Sequence, residues 1–132
     1  WGSNISYGWT YDKILFKFTY SYTSAPEKYK DNLSGVSEHS VKSYLTYFIK
    51  DNWVLNFSNK YLSKKKLYEI DLAPYAITNA FISYNYKSYF YIKLGIKNIF
   101  DYKDKRRLDR TDILTTYDPG KRYFLNLIIK TK

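Results

Sequence analysis

Seven stretches of this chain alternate apolar and polar residues with a period of two, and the connections between them alternate strictly between short and long. A period of two sends successive side chains to opposite faces of an extended strand, so it predicts a two-faced sheet. The first stretch sets Ile5, Tyr7, Trp9 and Tyr11 against Asn4, Ser6, Gly8 and Thr10, and the second sets Ile14, Phe16, Phe18, Tyr20 and Tyr22 against Leu15, Lys17, Thr19 and Ser21. In the third, Val41, Ser43, Leu45, Tyr47 and Ile49 oppose Lys42, Tyr44, Thr46 and Phe48, which blurs the contrast. The fourth is cleaner, with Trp53, Leu55, Phe57 and Tyr61 against Val54, Asn56, Ser58 and Lys60. The fifth, from about Tyr75 to Tyr84, presents Ala76, Ala80, Ile82 and Tyr84 as its apolar face, although Ile77 and Phe81 leave the other parity open. The sixth pairs Phe90, Ile92, Leu94 and Ile96 with Tyr89, Tyr91, Lys93, Gly95 and Lys97, and the last pairs Tyr123, Leu125, Leu127 and Ile129 with Arg122, Phe124, Asn126, Ile128 and Lys130.

The short connections are Asp12 to Lys13, Lys50 to Asn52 and Asn85 to Ser88; the long ones are Thr23 to Ser40, Leu62 to Pro74 and Asp101 to Gly120. In an up-and-down antiparallel sheet this alternation gathers tight turns at one end and long polar loops at the other. Bacterial outer-membrane barrels show that asymmetry, and soluble meanders need not. The stretches, at roughly 8 to 12 residues, bracket the 9 to 11 that a tilted strand needs to cross a bilayer. Only helices and closed barrels satisfy their backbone in hydrocarbon, and a barrel needs an apolar face toward lipid and a polar one toward its lumen. The expected lumen-facing residues include Lys17, Asn56, Lys60, Lys93, Lys97 and Asn126. On the expected lipid face, Trp9, Tyr11, Trp53 and Tyr84 stand beside the short turns. Tyr20, Tyr22, Tyr61, Phe100 and Tyr123 lie toward the long loops, the placement of two interfacial girdles.

Composition narrows the function classes. Aromatics are 21% of the 132 residues, and the 17 tyrosines, 8 phenylalanines and 3 tryptophans supply too much apolar surface for a disordered or collagen-like chain. No run approaches the 18 or so apolar residues of a membrane-spanning helix, and the start lacks the layout of a signal peptide. Cysteine is absent and His39 is the one histidine, which removes disulfides, zinc-thiolate sites, cysteine nucleophiles and multi-histidine metal centres. No Gly-rich phosphate loop or Ser/His/Asp spacing appears, so we assign no catalytic residue, cofactor or metal and read the chain as a non-enzyme. A start at Trp1 that enters the alternating pattern within a few positions reads as a fragment.

A net charge of +10 raises a nucleic-acid reading, in which Lys64 to Lys66, or Lys103, Lys105, Arg106, Arg107 and Arg110, neutralise phosphates while tyrosines stack on bases. Both runs fall in long loops, Asp104 and Asp109 interrupt the second, and the tyrosines follow strand faces instead of the charges. A solvated loop facing anionic lipopolysaccharide accounts for them better. His39 beside Glu38, and Asp109 with Asp112, are loop residues without a second ligand or a defined cleft. The alternative fold is a soluble basic β-sheet module that binds nucleic acid or a small ligand, and it should stay monodisperse without detergent.

From Tyr75 onward the chain resembles the C-terminal end of TonB-dependent outer-membrane receptors. Ile92-Lys93-Leu94-Gly95-Ile96-Lys97-Asn98-Ile99-Phe100-Asp101 matches the family's apolar strand closing in Asn-Leu-Phe-Asp, and Asp118-Pro119-Gly120-Lys121-Arg122 with the strand after it resembles the Pro-Gly-Arg opening of the last strand. Ser37-Glu38-His39-Ser40 is similar to the Pro-Glu-His-Ser/Thr stretch on which the family often returns from an extracellular loop. The motif residues Asn98, Ile99, Phe100, Asp101, Pro119, Gly120 and Arg122 carry structure, not catalysis. Asn98 and Asp101 are suited to bond local backbone, and Pro119 and Gly120 to turn the chain. Two departures are plain: the chain ends Ile129-Lys130-Thr131-Lys132 without the family's terminal aromatic, and Arg122 stands one place late.

The resemblance implies residues 1–132 as the last seven strands of an all-β, antiparallel, up-and-down transmembrane barrel of about 22 strands, with the plug outside this segment. It implies a receptor in the outer membrane, its C-terminus on the periplasmic side, that takes up a scarce nutrient, foremost a ferric siderophore or other iron chelate, with haem and cobalamin as alternatives. Its implied partners are outer-membrane lipid and lipopolysaccharide, its own plug, the inner-membrane TonB complex and the chelate, with no nucleic acid.

Overall fold

The computed structural model describes residues 1–24, 36–67, 70–87, 89–103 and 120–129. Among the described residues nine strands form and there is no helix. They are β1 (Gly2–Tyr11), β2 (Ile14–Thr23), β3 (His39–Lys50), β4 (Trp53–Leu62), β5 (Lys65–Leu67), β6 (Ile70–Leu72), β7 (Tyr75–Tyr86), β8 (Phe90–Lys97) and β9 (Arg122–Ile129). Seven of them make one antiparallel sheet in the order β1-β2-β3-β4-β7-β8-β9, so every strand pairs with its sequence neighbour except where β5 and β6 intervene. Those two pair only with each other, a small hairpin inside the connection from Leu62 to Pro74, where the sequence suggests a plain loop. Each member has three residues, too few to show a period of two.

Tight turns close one end of the sheet. Tyr11 pairs directly with Ile14 across Asp12 and Lys13, with Asp12 in the left-handed region at φ 45°, which a short polar side chain tolerates. The second turn follows a β-bulge between Phe48 and Lys50, which takes Ile49 out of the alternation that the rest of β3 keeps. The third places Lys87 at φ 49°.

Register sorts the two faces. One row runs across all seven strands as Trp9, Phe16, Leu45, Phe57, Ala80, Ile96 and Tyr123, each the direct partner of the next. The neighbouring row, Thr10, Leu15, Thr46, Asn56, Phe81, Gly95 and Phe124, lies on the opposite face. The first row begins near the turn end of β1 and finishes at the loop end of β9, a cumulative stagger of the kind that tilted barrel strands require. The same registers settle β7: Ala76, Ala80, Ile82 and Tyr84 share the apolar face with Tyr61, Phe57, Leu55 and Trp53.

No second layer covers either face among the described residues. Among the described residues the one fully buried side chain is that of Asn98, while Ile5, Leu125 and Ile129 stand 64%, 63% and 66% exposed. A soluble domain of this composition buries one such face against another layer. The seven-stranded sheet does not close on itself, and β1 and β9 are its two edges.

Candidate functional site

The polar face is a lattice of short side chains bonded across strands. Ser6 and Thr19 hydroxyls lie 3.1 Å apart, Ser21 donates to Asn4 Oδ1 at 3.0 Å, Thr46 to Asn56 Oδ1 at 2.8 Å, and Asn79 Nδ2 to Ser58 Oγ at 3.1 Å. By register Lys17, Lys60, Lys93 and Lys97 share this face, together with Lys42 and Arg122. Among the described strand positions this face carries no Asp or Glu. The described acidic residues lie elsewhere: Asp12, Glu38, Asp51 and Asp101 in turns and strand-flanking loops, and Asp71 in the separate β5–β6 hairpin.

These cations divide into two kinds. Lys93 Nζ lies 3.5 Å from the centroid of Phe81 and 5.7 Å from that of Phe124, and Lys97 Nζ lies 5.5 Å from Phe124, all within cation–π range. Gly95 makes this shelf possible: a Cβ there would sit 2.6 Å from Phe81 Cβ and 2.7 Å from the Phe124 ring, so only a glycine lets the ring lie across the backbone. Lys17, Lys42 and Lys60 are exposed and have neither a ring nor a carboxylate partner among the described residues. Lys42 and Lys60 are direct cross-strand partners, a like-charge opposition that costs stability. The sequence alone does not single out Lys42, because Tyr44 and Phe48 give its side of β3 as much apolar character as the other.

The family-like motif residues form a clasp where β8 leaves the sheet. Asn98, 1% exposed and at φ 54°, receives its strength from four directions. Its backbone N–H donates to Asn79 Oδ1 at 2.9 Å, its carbonyl accepts from the Asp101 N–H at 2.9 Å, its Nδ2 donates to the Tyr102 carbonyl at 2.7 Å, and its Oδ1 accepts from the Tyr102 N–H at 2.9 Å. Ile99 N–H donates to the Thr78 carbonyl at 2.8 Å, which ties the turn to β7. Asp101, also left-handed at φ 55°, reaches the start of the last strand, where its Oδ1 accepts the Lys121 N–H at 2.7 Å and its Oδ2 pairs with Lys103 Nζ at 3.3 Å. The Lys121 hydrogen bond first, and Lys103 second, hold the Asp101 carboxyl below the usual aspartate range. Gly120, at φ 83°, is buried beneath it: a Cβ would meet Asp101 Oδ1 at 2.6 Å. Asn98, Asp101 and Gly120 are thus parts of one joint, 22 positions across. Phe100 stands 77% exposed beside it, and Arg122 opposes Lys97 on the polar face. Pro119 lies outside the described residues, as do Lys105, Arg106, Arg107, Arg110, Asp104, Asp109 and Asp112.

On the apolar face, Trp9 and Tyr11 stack at 5.7 Å, and Trp53 lies 4.7 Å from Tyr84, both pairs beside tight turns. At the loop end Tyr123 is exposed on the same face, and Tyr20 bonds His39 Nδ1 at 2.7 Å with Tyr22 5.1 Å from the imidazole. His39 therefore belongs to the aromatic rim of the apolar face, a place the sequence does not reveal because the residue sits at the boundary of loop and strand.

Comparison of the sequence with family models and with curated proteins finds no match. Comparison of the coordinates does. The G324V mutant of the ferric enterobactin receptor PfeA from Pseudomonas aeruginosa superposes with a TM-score of 0.78 at 17% identity, over 94% of this chain and 21% of that one. The R480A mutant of the same receptor, in complex with enterobactin, gives 0.76 at 17% identity over 92% and 21%. The siderophore receptor PirA from Acinetobacter baumannii gives 0.74 at 16% identity over 94% and 21%. The chain thus spans about a fifth of the length of the structures it matches, and its fold is that of an open arc of barrel wall, an all-β antiparallel sheet of seven up-and-down strands.

Proposed function

We propose that this segment is part of the barrel of a TonB-dependent outer-membrane receptor that actively imports a scarce nutrient, most directly a ferric siderophore or related iron chelate. A single observation carries the reading: among the described residues, a sheet without a covering layer, with one apolar face and one cationic face free of carboxylates, whose last strands are tied by the Asn98 to Gly120 clasp at the positions of the family's motifs. Coordinates similar to two siderophore receptors support it. In this reading the apolar face meets lipid, Trp9, Tyr11, Trp53 and Tyr84 form the periplasmic girdle, and Tyr123 with the His39 rim lies at the outer interface near lipopolysaccharide. The C-terminus then lies on the periplasmic side. The polar face lines the lumen, where Lys17, Lys60, Lys93 and Lys97 bias the interior toward anions and toward the plug, and the inner-membrane TonB complex drives release.

The test uses the full-length receptor. It should fractionate with the outer membrane, run as a heat-modifiable band, and restore radioactive ferric siderophore uptake to cells lacking their own receptors only when TonB is present. A protein monodisperse in detergent-free buffer, or uptake that is indifferent to TonB, would overturn the reading.

A further inference from the structure

The six described cations of the polar face are not equivalent, and the difference points to a site. Lys93 and Lys97 are already occupied by the Phe81 and Phe124 rings, and Arg122 stands opposite Lys97 at the edge strand. Lys17, Lys42 and Lys60 lie instead on three adjacent strands with nothing of opposite charge among the described residues on their face. Lys17 is directly opposite Tyr44, Lys42 is directly opposite Lys60, and Tyr44 and Lys42 are two positions apart on β3, so the four side chains mark the corners of one patch. Directly opposed residues hold their Cβ atoms about 5 Å apart and diagonal ones about 7 Å. Lys17 and Lys60 are the far corners, separated by β3 and so about two strand spacings of 4.8 Å apart sideways, and the long lysine stems span that gap when they lean inward onto one small molecule. Exposed lysines keep the rotamer freedom that such convergence needs.

We infer that Lys17, Lys42 and Lys60, with the Tyr44 hydroxyl as a fourth donor, form a binding site for a small, multiply charged anion on the barrel's inner wall. The inference rests on the reading of this face as lumen lining. Two cations placed face to face repel, and the arrangement is stabilised when an anion bridges them. A polyanion suits the patch better than a single carboxylate, because three lysines present three separate charges and no acceptor. The site would hold an anionic cargo on the wall, along the path its release opens. Sharing the three charges, none of them desolvated, keeps binding weak enough for the anion to move on.

Thermal unfolding of the full-length receptor in detergent tests this with inorganic pyrophosphate as the probe, against sodium chloride of equal ionic strength. Wild type should gain several degrees in pyrophosphate beyond the chloride control, because a ligand that binds only the folded state raises its midpoint. A charge-matched K13Q/K87Q variant, altered only at two tight turns, should respond like wild type. K42Q/K60Q should lose the response and, without pyrophosphate, unfold at or above the wild-type midpoint, since the repulsion is gone. K42R/K60R, which keeps both charges, should retain the response and guards against misfolding of the glutamine variant. The site is overturned if wild type does not respond, or if K42Q/K60Q responds equally. It is also overturned if K42Q/K60Q unfolds well below wild type in plain buffer, which would mean that these lysines pair with acidic groups of the protein itself. None of these readouts needs transport, so failure here leaves the uptake test of the receptor reading independent.

Discussion

The two sides of the polar face solve the same electrostatic problem in opposite ways. Across β7, β8 and β9 the lysines lie on aromatic shelves, and a buried asparagine stitches the strand ends together. Across β2, β3 and β4 the lysines stand in the open, two of them face to face, over a lattice of hydroxyls and amides. A net charge counted from composition treats both sides alike. The geometry assigns one set to holding the wall together and leaves the other free to meet something else. Sequence spacing explains part of this: Gly95 alternates with two lysines on β8, and only a glycine there permits Phe124 of the next strand to fold over the backbone as a platform.

The clasp should be the most sensitive point of the fixed side. Replacing Asn98 with Ala removes the side-chain hydrogen bonds to Tyr102, leaves the Tyr102 backbone polar groups without those partners, and puts alanine into a left-handed conformation that asparagine tolerates better. The expected cost is about 2–4 kcal/mol, read from urea unfolding of the full-length protein in detergent. Asn98→Gly should recover the conformational part only, so the gap between the two variants separates strain from lost hydrogen bonds. An Ala variant as stable as wild type would remove the distinction between a stitched side and an open one.

Gly95→Ala comes next. Its Cβ would press on Phe81 and the Phe124 ring, and overpacking of this kind costs roughly 1–3 kcal/mol. Combining it with Phe124→Leu should cost less than the two single changes together, since the clash and the shelf are the same contact. Strict additivity in that cycle would mean that the glycine is there for the backbone alone. Lys93→Gln should be milder, about 0.5–1 kcal/mol for the lost cation–π contact, whereas Lys17→Gln should be neutral or slightly stabilising in anion-free buffer. Equal effects at the two lysines would erase the contrast from which the anion site is argued.

How much of this is legible in the chain follows from the same physics. Five of the seven long strands announce their faces because one row is largely apolar and the other carries most of the polar residues, and the registers agree with them. Strand β3 hides Lys42 because its polar face carries Tyr44 and Phe48, and the bulge at Ile49 breaks the alternation near its end. The motif residues Asn98, Asp101 and Gly120 are recognisable one by one, but their union into a joint depends on a long connection folding back, which no local period encodes. The β5–β6 hairpin and the His39 rim are missed for related reasons: three-residue strands carry no period, and a histidine at a loop boundary declares no face.

The smallest expected effect is also the most specific, and it concerns acid. Asp101 is solvent-exposed, so its carboxylate contributes little to global stability, yet its depressed pKa fixes the direction of its pH dependence. A carboxyl whose pKa is lower folded than unfolded stabilises the folded form at pH above the ordinary aspartate value of about 4. That contribution fades as the pH falls toward the lowered value, where protonation weakens the Oδ1 acceptor that holds the Lys121 N–H. Amide hydrogen exchange at Lys121 should therefore be slow, relative to the intrinsic rate, at neutral and mildly acidic pH. Its protection should drop below pH 4 while amides in the centre of the sheet stay protected. Asp101→Asn keeps an oxygen acceptor without the charge, so its Lys121 amide should be less protected at neutral pH and indifferent to acid. If the wild-type amide instead opened between pH 5 and 7, the controlling group would not be this carboxylate, and the joint between the eighth strand and the last would need a different keeper.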